Sequence, residues 1–245
     1  MNIFFTVLYQ PLFNLLVWLY DVLPGNDIGI AIVVLTIIIR LILLPMSGQS
    51  LKSQKALQDL QPKIDEIKER TKDDKEGQAK ELMQLYKREK VNPLASCLPM
   101  VVQLVILIAL YRVLSAGLNS GSLDALYSFV HNPGRLDAIF LNKVDLAEPN
   151  IILAILAGIV QFFQAKMMIT RRPPSAVAKK DGAKDEAMLA SMNKSMLYFM
   201  PVMTVVIGAR LPGGLALYWL ISNTFMVIQQ WVVFHKKKKT IVLPS

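Results

Sequence analysis

Residues 28–45 read IGIAIVVLTIIIRLILLP, an apolar run of 18 residues that contains a single charge, Arg40. With its flanks the run reaches the roughly 20 residues that a helix needs to cross a bilayer. Four further apolar runs follow along the chain, at 94–114, 151–169, 195–209 and 215–234. This pattern predicts an all-α polytopic membrane protein with five transmembrane helices.

The composition supports a membrane protein and excludes two soluble classes. Of the 245 residues 53% are hydrophobic and 18% charged, yet the formal net charge is +9, whereas soluble domains carry about 25% charged residues. A soluble nucleic-acid binder can be this basic but is less apolar, and a disordered basic protein is excluded by the same hydrophobicity. We therefore expect no nucleic-acid recognition by the chain itself.

The basic residues are unevenly distributed and predict an orientation. Of the 27 Lys and Arg residues, 22 fall in or beside three segments, 46–93, 170–194 and 235–245. Four, Arg112, Arg135, Lys143 and Arg210, fall at the opposite ends of the spans or in the loops there, and the first 27 residues have none. Because short cytosolic loops are enriched in Lys and Arg, these three segments are predicted to be cytosolic. The N-terminal segment 1–27 and the loop 115–150 are then extracytoplasmic.

The segment 1–27 has its own pattern. A broad apolar face is interrupted by Gln10, Pro11 and Asn14, and no basic region precedes it. The missing basic region argues against a cleaved signal peptide. The pattern favours an amphipathic helix that lies in the membrane interface, and a sixth span is the alternative.

The segment 46–93 is predicted to form a helical hairpin. Apolar residues recur at helical spacing from Leu57 to Ile67 and again from Ala79 to Tyr86, the stripe of two short packed helices. Pro62 interrupts the first stripe and predicts a kink or a new helix start there. The charges are nearly balanced, which fits solvated helix faces or a docking surface. The segment 170–194, rich in Pro, Ala and charge, is predicted to be a flexible cytosolic loop.

Arg40 is the strongest single signal in the sequence. A charge inside a span costs roughly 2.5–3.5 kcal/mol on insertion scales, and Arg40 lies about 7–8 Å inside the cytosolic end of the first span. Two interpretations remain open: the side chain snorkels to the cytosolic headgroups, or it faces a water-filled cavity. Thr36, one turn earlier on the same face, extends the polar stripe toward the middle of the membrane.

Three other spans each carry polar residues on one face, either as hydrogen-bonding contacts between helices or as the lining of a shared cavity. They are Gln103 in the second span, Gln161 and Gln164 in the third, and Trp219, Ser222, Asn223 and Met226 in the fifth. No Asp or Glu lies within a span to neutralise Arg40. Such an arginine needs water, or a ligand that brings negative charge.

The sequence offers no sign of catalysis. The two His residues, His131 and His235, lie in a loop and in the tail, and Cys97 has no partner for a disulfide. No nucleophile–base pair, metal-ligand cluster or phosphate-binding loop is present. We therefore expect neither an enzyme nor a cofactor or metal site.

Several stretches resemble the YidC-type membrane protein insertases, in their short five-span bacterial form related to the mitochondrial and chloroplast insertases. The stretches are TIIIRLILLP (36–45), LQPKI (60–64), LYKREKVNPLASCLPMVVQLVILIALY (85–111), FMPV (199–202) and LPGGLALYWLISNTFMVIQQ (211–230). The resemblance extends over nearly the whole chain, and the order and spacing of these motifs agree with the family.

The resemblance implies a bacterial plasma-membrane insertase with a hydrophilic groove open to cytosol and lipid, and an apolar slide along which substrate helices leave. The implied groove residues are Arg40, Thr36, Gln103, Gln161, Gln164, Trp219, Ser222 and Asn223. The implied slide residues are Tyr218, Trp219 and Met226. The residues implied to receive substrate or contact the ribosome are Lys236, Lys237, Lys238 and Lys239.

The implied partners are nascent membrane proteins, the ribosome and the lipid bilayer, with the Sec translocon and the signal recognition particle pathway as candidates. Two alternatives belong to other functional classes. A small-solute or ion transporter would use the polar faces as a pathway open to both sides. A structural assembly factor would contact only folded membrane proteins.

Overall fold

The computed structural model describes residues 3–72, 74–92, 98–120, 123, 125–168 and 197–236. Within these ranges the chain is predominantly helical, as predicted, and a single two-stranded hairpin accompanies the helices. The helices are α1 Gln10–Val22, α2 Ile28–Ile42, α3 Leu44–Arg70, α4 Lys75–Arg88, α5 Leu98–Leu114, α6 Ile151–Met168, α7 Leu197–Gly208 and α8 Gly213–Lys236. The strands are β1 Ile139–Phe140 and β2 Val144–Asp145.

The N-terminal helix α1 follows a π-helical turn, Phe5–Tyr9. Its buried face packs against α2 and α5, while Trp18 and Val22 on the other side are 47% and 57% exposed. Burial of the apolar face against neighbouring helices explains why this stripe is so broad. The position of α1 in a membrane interface stays a prediction.

The main apolar core lies between α1, α2, α5 and α8. One face of α2 faces this core because its buried residues recur at intervals of three and four. The largest fully buried side chains of this core are Phe13, Leu16, Ile28, Leu35, Leu114, Leu215 and Tyr218. Helices α6 and α7 pack beside α8, and a Cβ at Gly158 of α6 would lie 2.4 Å from the Val205 side chain of α7.

The chain bends by 62° between α2 and α3, at Leu43. Pro45 lies in the first turn of α3, where its missing N–H costs no helical hydrogen bond. No new helix starts at Pro62, because α3 runs through it to Arg70, and the alternative of a kink there stays a prediction. Leu60 and Ile64 flank the proline and are both buried, and this packing holds the helix together across the one hydrogen bond that Pro62 removes.

Helices α3 and α4 pack on each other as a hairpin of two helices. Lys63 Nζ of α3 contacts Glu89 Oε1, next to the end of α4, at 2.6 Å, and Arg70 pairs with Glu81. Asp74 caps α4 by accepting a hydrogen bond from the Gly77 amide at 2.9 Å. The cytosolic location of this hairpin stays a prediction.

Within the described ranges, no single helix is both long and apolar enough to cross a bilayer by itself. The pair Ile28–Ile42 and Leu44–Leu57 meets that requirement jointly, across the bend, by length and composition. Shorter apolar helices lie at Val101–Gly117, Ile151–Met167 and Leu197–Gly208. The number of spans and their orientation stay predictions.

The segment between α5 and α6 folds over one end of the bundle. The strands pair in antiparallel fashion through a turn in which Leu141 and Asn142 adopt positive φ angles of 50° and 55°. The Leu141 amide donates to Asp27 Oδ2 at 2.7 Å, and Asp27 Oδ1 accepts from the first amides of α2. One carboxylate therefore caps α2 and holds a turn that a non-glycine residue adopts reluctantly.

The same segment is also attached to α8 and α1. The amides of Gly213 and Gly214 donate to the carbonyls of Glu148 and Leu146 at 2.9 and 3.0 Å. The buried side chain of Asn14 donates to the Ala125 carbonyl at 2.9 Å and accepts from the Tyr127 amide. These contacts cover the N-terminal ends of α2 and α8.

Candidate functional site

Arg40, in the last turn of α2, is bound by neutral side chains from two other helices. Its Nε donates to Ser222 Oγ of α8 at 2.8 Å, and its Nη2 donates to Gln103 Oε1 of α5 at 2.8 Å and also to Ser222. Ser222 is fully buried. The planar guanidinium suits this arrangement because it presents several donors in a fixed fork.

Arg40 determines which way the Gln103 amide points, because a guanidinium can only donate and the amide oxygen must therefore face it. Gln103 Nε2 donates to the Tyr218 hydroxyl at 2.8 Å, while Oε1 of the same amide accepts from Arg40. The Tyr218 ring is 1% exposed. The four side chains Arg40, Gln103, Tyr218 and Ser222, called the Arg40 cluster below, thus connect α2, α5 and α8.

The charge of Arg40 has no acidic partner among the residues that the structure describes. The ion pairs found there join Lys63 to Glu89 and Arg70 to Glu81, both in the α3–α4 hairpin. Hydroxyl and amide dipoles solvate a guanidinium but leave its net charge in place. The Arg40 cluster is therefore a cationic position to which an anionic group would be attracted.

Thr36 lies one turn before Arg40 and is 1% exposed. Its hydroxyl donates to the Ile32 carbonyl of the same helix at 2.6 Å, so its hydrogen bond stays within α2. The structure therefore places Thr36 on the predicted stripe but outside the hydrogen bonds of the Arg40 cluster.

The predicted polar residues of α6 form a second, separate polar contact. Gln161 Oε1 accepts from the Thr204 hydroxyl of α7, and Asn223 Nδ2 of α8 approaches the Ala157 carbonyl at 3.5 Å. Gln164, one turn beyond Gln161, is half-buried. The sequence pattern placed these residues in one polar set with Arg40, and in the structure their hydrogen bonds join α6 to α7 and α8.

The predicted slide residues fall on different sides of α8. Trp219 is half-buried beside α7, where a Cβ at Gly208 would lie 3.9 Å from its ring, and Met226 is also half-buried. Tyr218 is buried and belongs to the Arg40 cluster, and its role in a substrate slide stays a prediction. Successive helical residues point about 100° apart, so Tyr218 and Trp219 cannot share one face.

The basic residues predicted to receive substrate lie at the end of the described chain. Lys236 is the last residue of α8. The remaining three, Lys237 to Lys239, lie outside the described residues, as does the loop 170–194.

A buried polar pair at the base of the hairpin escaped the sequence analysis. Ser47 of α3 and Gln229 of α8 are 4% and 8% exposed, and Ser47 Oγ accepts from Gln229 Nε2 at 2.8 Å. Gln229 follows Ser222 by two helical turns on the same face of α8. Its spacing from Ser222 was a usable signal, but nothing in the sequence identified Ser47 as its partner.

Fold and site together define an all-α protein with a polar, cationic cluster inside an otherwise apolar helical bundle. The sequence profile of the family described as 60Kd inner membrane protein matches residues 18–240, and the chain therefore belongs to this family. The predicted resemblance is thereby confirmed.

Two relatives named membrane protein insertase YidC extend this result. The one from Wigglesworthia glossinidia brevipalpis is 33% identical over 234 residues, which cover 96% of this chain and 38% of the relative. The one from Fusobacterium nucleatum subsp. nucleatum is 37% identical over 216 residues, which cover 88% of this chain and 90% of the relative. The chain thus spans well under half of the first relative and most of the second.

Proposed function

We propose that this protein is a membrane protein insertase that accepts newly made membrane proteins near Arg40 and releases their helices sideways into the bilayer. The observation that carries the proposal is the Arg40 cluster, in which a cation of α2 is held by neutral groups from two other helices, α5 and α8. The names of the two relatives agree with it.

The physical role of the cluster follows from the cost of moving a polar tail across hydrocarbon. A hydrated groove that contains Arg40, Thr36, Gln103 and Ser222 would shorten the dry distance that such a tail crosses. Arg40 would attract acidic residues of the tail, and this attraction is stronger where the effective dielectric constant is low. The apolar helix of the substrate would then partition into lipid, driven by about 25 cal/mol per Å² of buried apolar surface.

The proposed orientation has the N-terminus outside and the α3–α4 hairpin and C-terminal tail in the cytosol, in a bacterial plasma membrane. Loops rich in Lys and Arg favour the cytosolic side. In this orientation the segment that covers the ends of α2 and α8 lies outside. Nascent membrane proteins and the lipid bilayer are the proposed partners. The ribosome, the Sec translocon and the signal recognition particle pathway are further proposed partners.

Coverage of the outer end favours an insertase over a transporter. The Asp27–Leu141 contact and the pairing of Gly213 and Gly214 with Glu148 and Leu146 tie the outer segment to two helices of the Arg40 cluster. A transporter needs a route that reaches both sides of the membrane. An insertase needs access only from the cytosol and from lipid.

Photocrosslinking tests the proposal directly. A photoreactive amino acid replaces Trp219, on the slide side of α8, and in a control variant replaces Phe129, an 82% exposed ring in the outer segment. We expect ribosome-bound nascent membrane proteins to crosslink to position 219 and not to position 129. Crosslinks to folded membrane proteins alone would favour an assembly factor, and solute flux in reconstituted vesicles would favour a transporter.

A further inference from the structure

We propose that Ser47 and Gln229 act as positioning residues, a polar clamp that sets the angle of the α3–α4 hairpin against the helices of the Arg40 cluster. The inference rests on the proposed insertase function, because it concerns how the hairpin presents substrate to Arg40. The observation behind it is a hydrogen-bonded pair buried where the hairpin leaves the bundle.

The clamp joins the first turn of α3 to the last third of α8. Ser47 Oγ accepts from Gln229 Nε2 at 2.8 Å, and its own proton lies within reach of Gln229 Oε1 and of the Leu44 carbonyl, both at 3.1 Å. Gln229 Nε2 also approaches the Leu44 carbonyl at 3.5 Å. The amide therefore contacts both the side chain and the backbone of α3, directly beyond the 62° bend.

The surroundings allow close approach and exclude water. Gly48 lies beside the amide, where a Cβ would be 3.9 Å from Gln229 Nε2, and the neighbouring Ser50 and Leu51 are 3% and 2% exposed. Apolar residues would fill such a site as well as a polar pair does. A satisfied buried polar pair instead favours one orientation over others, since a rotated arrangement leaves its groups unpaired.

Because α3 is long, a small change in the orientation of its first turn moves its far end by a large distance. From Ser47 to Arg70 the helix is about 35 Å long, so a rotation of about 10° at the base moves the tip by roughly 6 Å. Among the side chains of α3 that the structure describes beyond Leu51, Leu60 and Ile64 are the next buried ones, in the part that packs on α4. The contacts near the bend therefore determine where the hairpin points.

Helix α8 supports both the arginine and the hairpin. Ser222 and Gln229 lie two turns apart on one face of α8, so Ser222 holds Arg40 and Gln229 holds α3. The two contacts have different partners, and they can be removed separately. That separation makes the clamp testable.

The experiment measures hairpin orientation and insertion on the same full-length variants in vesicles. Spin labels are placed at the exposed positions Glu69 of α3 and Arg210 before α8, with Cys97 replaced by serine. Gln229→Met removes the amide at similar volume, Ser222→Ala loosens Arg40 alone, and Gln49→Ala changes an exposed residue in the same part of α3. Ser47→Ala and Ser47→Thr compare loss and retention of the hydroxyl.

We expect Gln229→Met and Ser47→Ala to broaden the distribution of distances between labels and to slow insertion about three- to ten-fold, the factor that one buried hydrogen bond is worth. Ser222→Ala should slow insertion with an unchanged distance distribution, whereas Ser47→Thr and Gln49→Ala should resemble the unsubstituted protein. An unchanged distance distribution in both Gln229→Met and Ser47→Ala overturns the clamp. If the unsubstituted protein inserts no more substrate than empty vesicles do, the proposed insertase function fails, whatever the label distances show.

Discussion

Arg40 and Ser222 lie 182 residues apart in the chain and meet inside the helical bundle, where Arg40 Nε donates to Ser222 Oγ at 2.8 Å. The contact joins the last turn of α2 to the middle of α8. It places a cation next to a hydroxyl and an amide, with no carboxylate among its described partners. An incoming acidic group would meet a charge that no described residue neutralises.

Reversal of the charge at position 40 should impair acidic substrates selectively. A pair of unit charges about 4 Å apart is worth about 4 kcal/mol at an effective dielectric constant of about 20. If about a third of this energy acts in the transition state of insertion, Arg40→Glu should slow the insertion of a substrate with an acidic external tail about ten-fold more than that of a matched neutral one, since about 1.4 kcal/mol is a factor of ten. Insertion into proteoliposomes measures both. Arg40→Lys keeps the charge but loses the forked donors, and its insertion rate for the acidic substrate should lie between those of the unsubstituted protein and Arg40→Glu. If Arg40→Glu slows both substrates equally, the electrostatic role is contradicted.

Removal of the Tyr218 hydroxyl should destabilise the Arg40 cluster without altering its charge. Tyr218→Phe leaves Gln103 Nε2 without its acceptor, and such a loss lowers the free energy of unfolding by about 1 kcal/mol. Chemical denaturation in detergent measures the change. Tyr198→Phe, at a ring that is 54% exposed on α7, is the matched control. Equal stability of the two variants would show that the Gln103–Tyr218 hydrogen bond contributes nothing.

Asp27 should stabilise the outer end of the bundle through two contacts at once. Asp27→Ala removes the cap of α2 and the partner of the Leu141 amide, and loss of an N-cap alone costs about 0.5–2 kcal/mol. Asp27→Asn keeps a capping oxygen and should cost less. Denaturation together with amide exchange at Leu141 checks this. Asp21→Ala, at an exposed position of α1, should change neither the free energy of unfolding nor the amide exchange at Leu141. If Asp27→Ala also changed neither, the role of Asp27 as both helix cap and partner of Leu141 would be contradicted.

The α3–α4 hairpin should loosen in acid. The hydrogen bond and the charge of Lys63 lower the pKa of Glu89 below its ordinary value. A carboxylate with a lowered pKa in the folded state stabilises it fully above its unfolded pKa, and this contribution disappears as the pH falls through the folded pKa. Spin labels at the exposed positions 66 and 83 should show a narrow distance distribution at neutral pH and a broader one in acid.

Two controls accompany the acid prediction. Glu89→Gln should give the broader distribution at every pH, because its amide keeps no charge for Lys63. Added salt should weaken the pair at neutral pH, since exposed ion pairs are screened. A distribution in Glu89→Gln that still changes with pH as in the unsubstituted protein would assign the transition to another group.

Part of the site could be predicted from the sequence because its signals are local. A charge in an apolar run is visible without knowledge of the fold, and so Arg40 was recognised, as were polar residues on the faces of other helices. Their hydrogen-bond partners could not be predicted in this way. Gln161 pairs with Thr204 and Tyr218 joins the Arg40 cluster, since neighbours across helices depend on how the helices cross.

The bend beyond the first apolar run shows the same limit. Both Pro45 and Pro62 could have interrupted a helix, and propensity alone assigned the break to Pro62. In the structure α3 starts beside Pro45, where a missing N–H costs nothing, and buried neighbours support the helix around Pro62. Tertiary packing therefore keeps the helix continuous at Pro62, against the local preference of proline, whereas Pro45 lies at a helix start, where proline is favoured.

The sequence by itself determined that the chain is helical, which faces of its helices are apolar, and that one arginine lies within an apolar run. Hydrophobic periodicity and charge are properties of short segments, and these conclusions need no knowledge of the fold. Only the tertiary structure decided that Ser222 and Gln103 bind Arg40, that Gln103 donates to Tyr218, and that Gln229 binds Ser47. Those contacts join residues far apart in the chain, and they exist because α8 packs against α2, α3 and α5 and brings their polar side chains within hydrogen-bonding distance of its own.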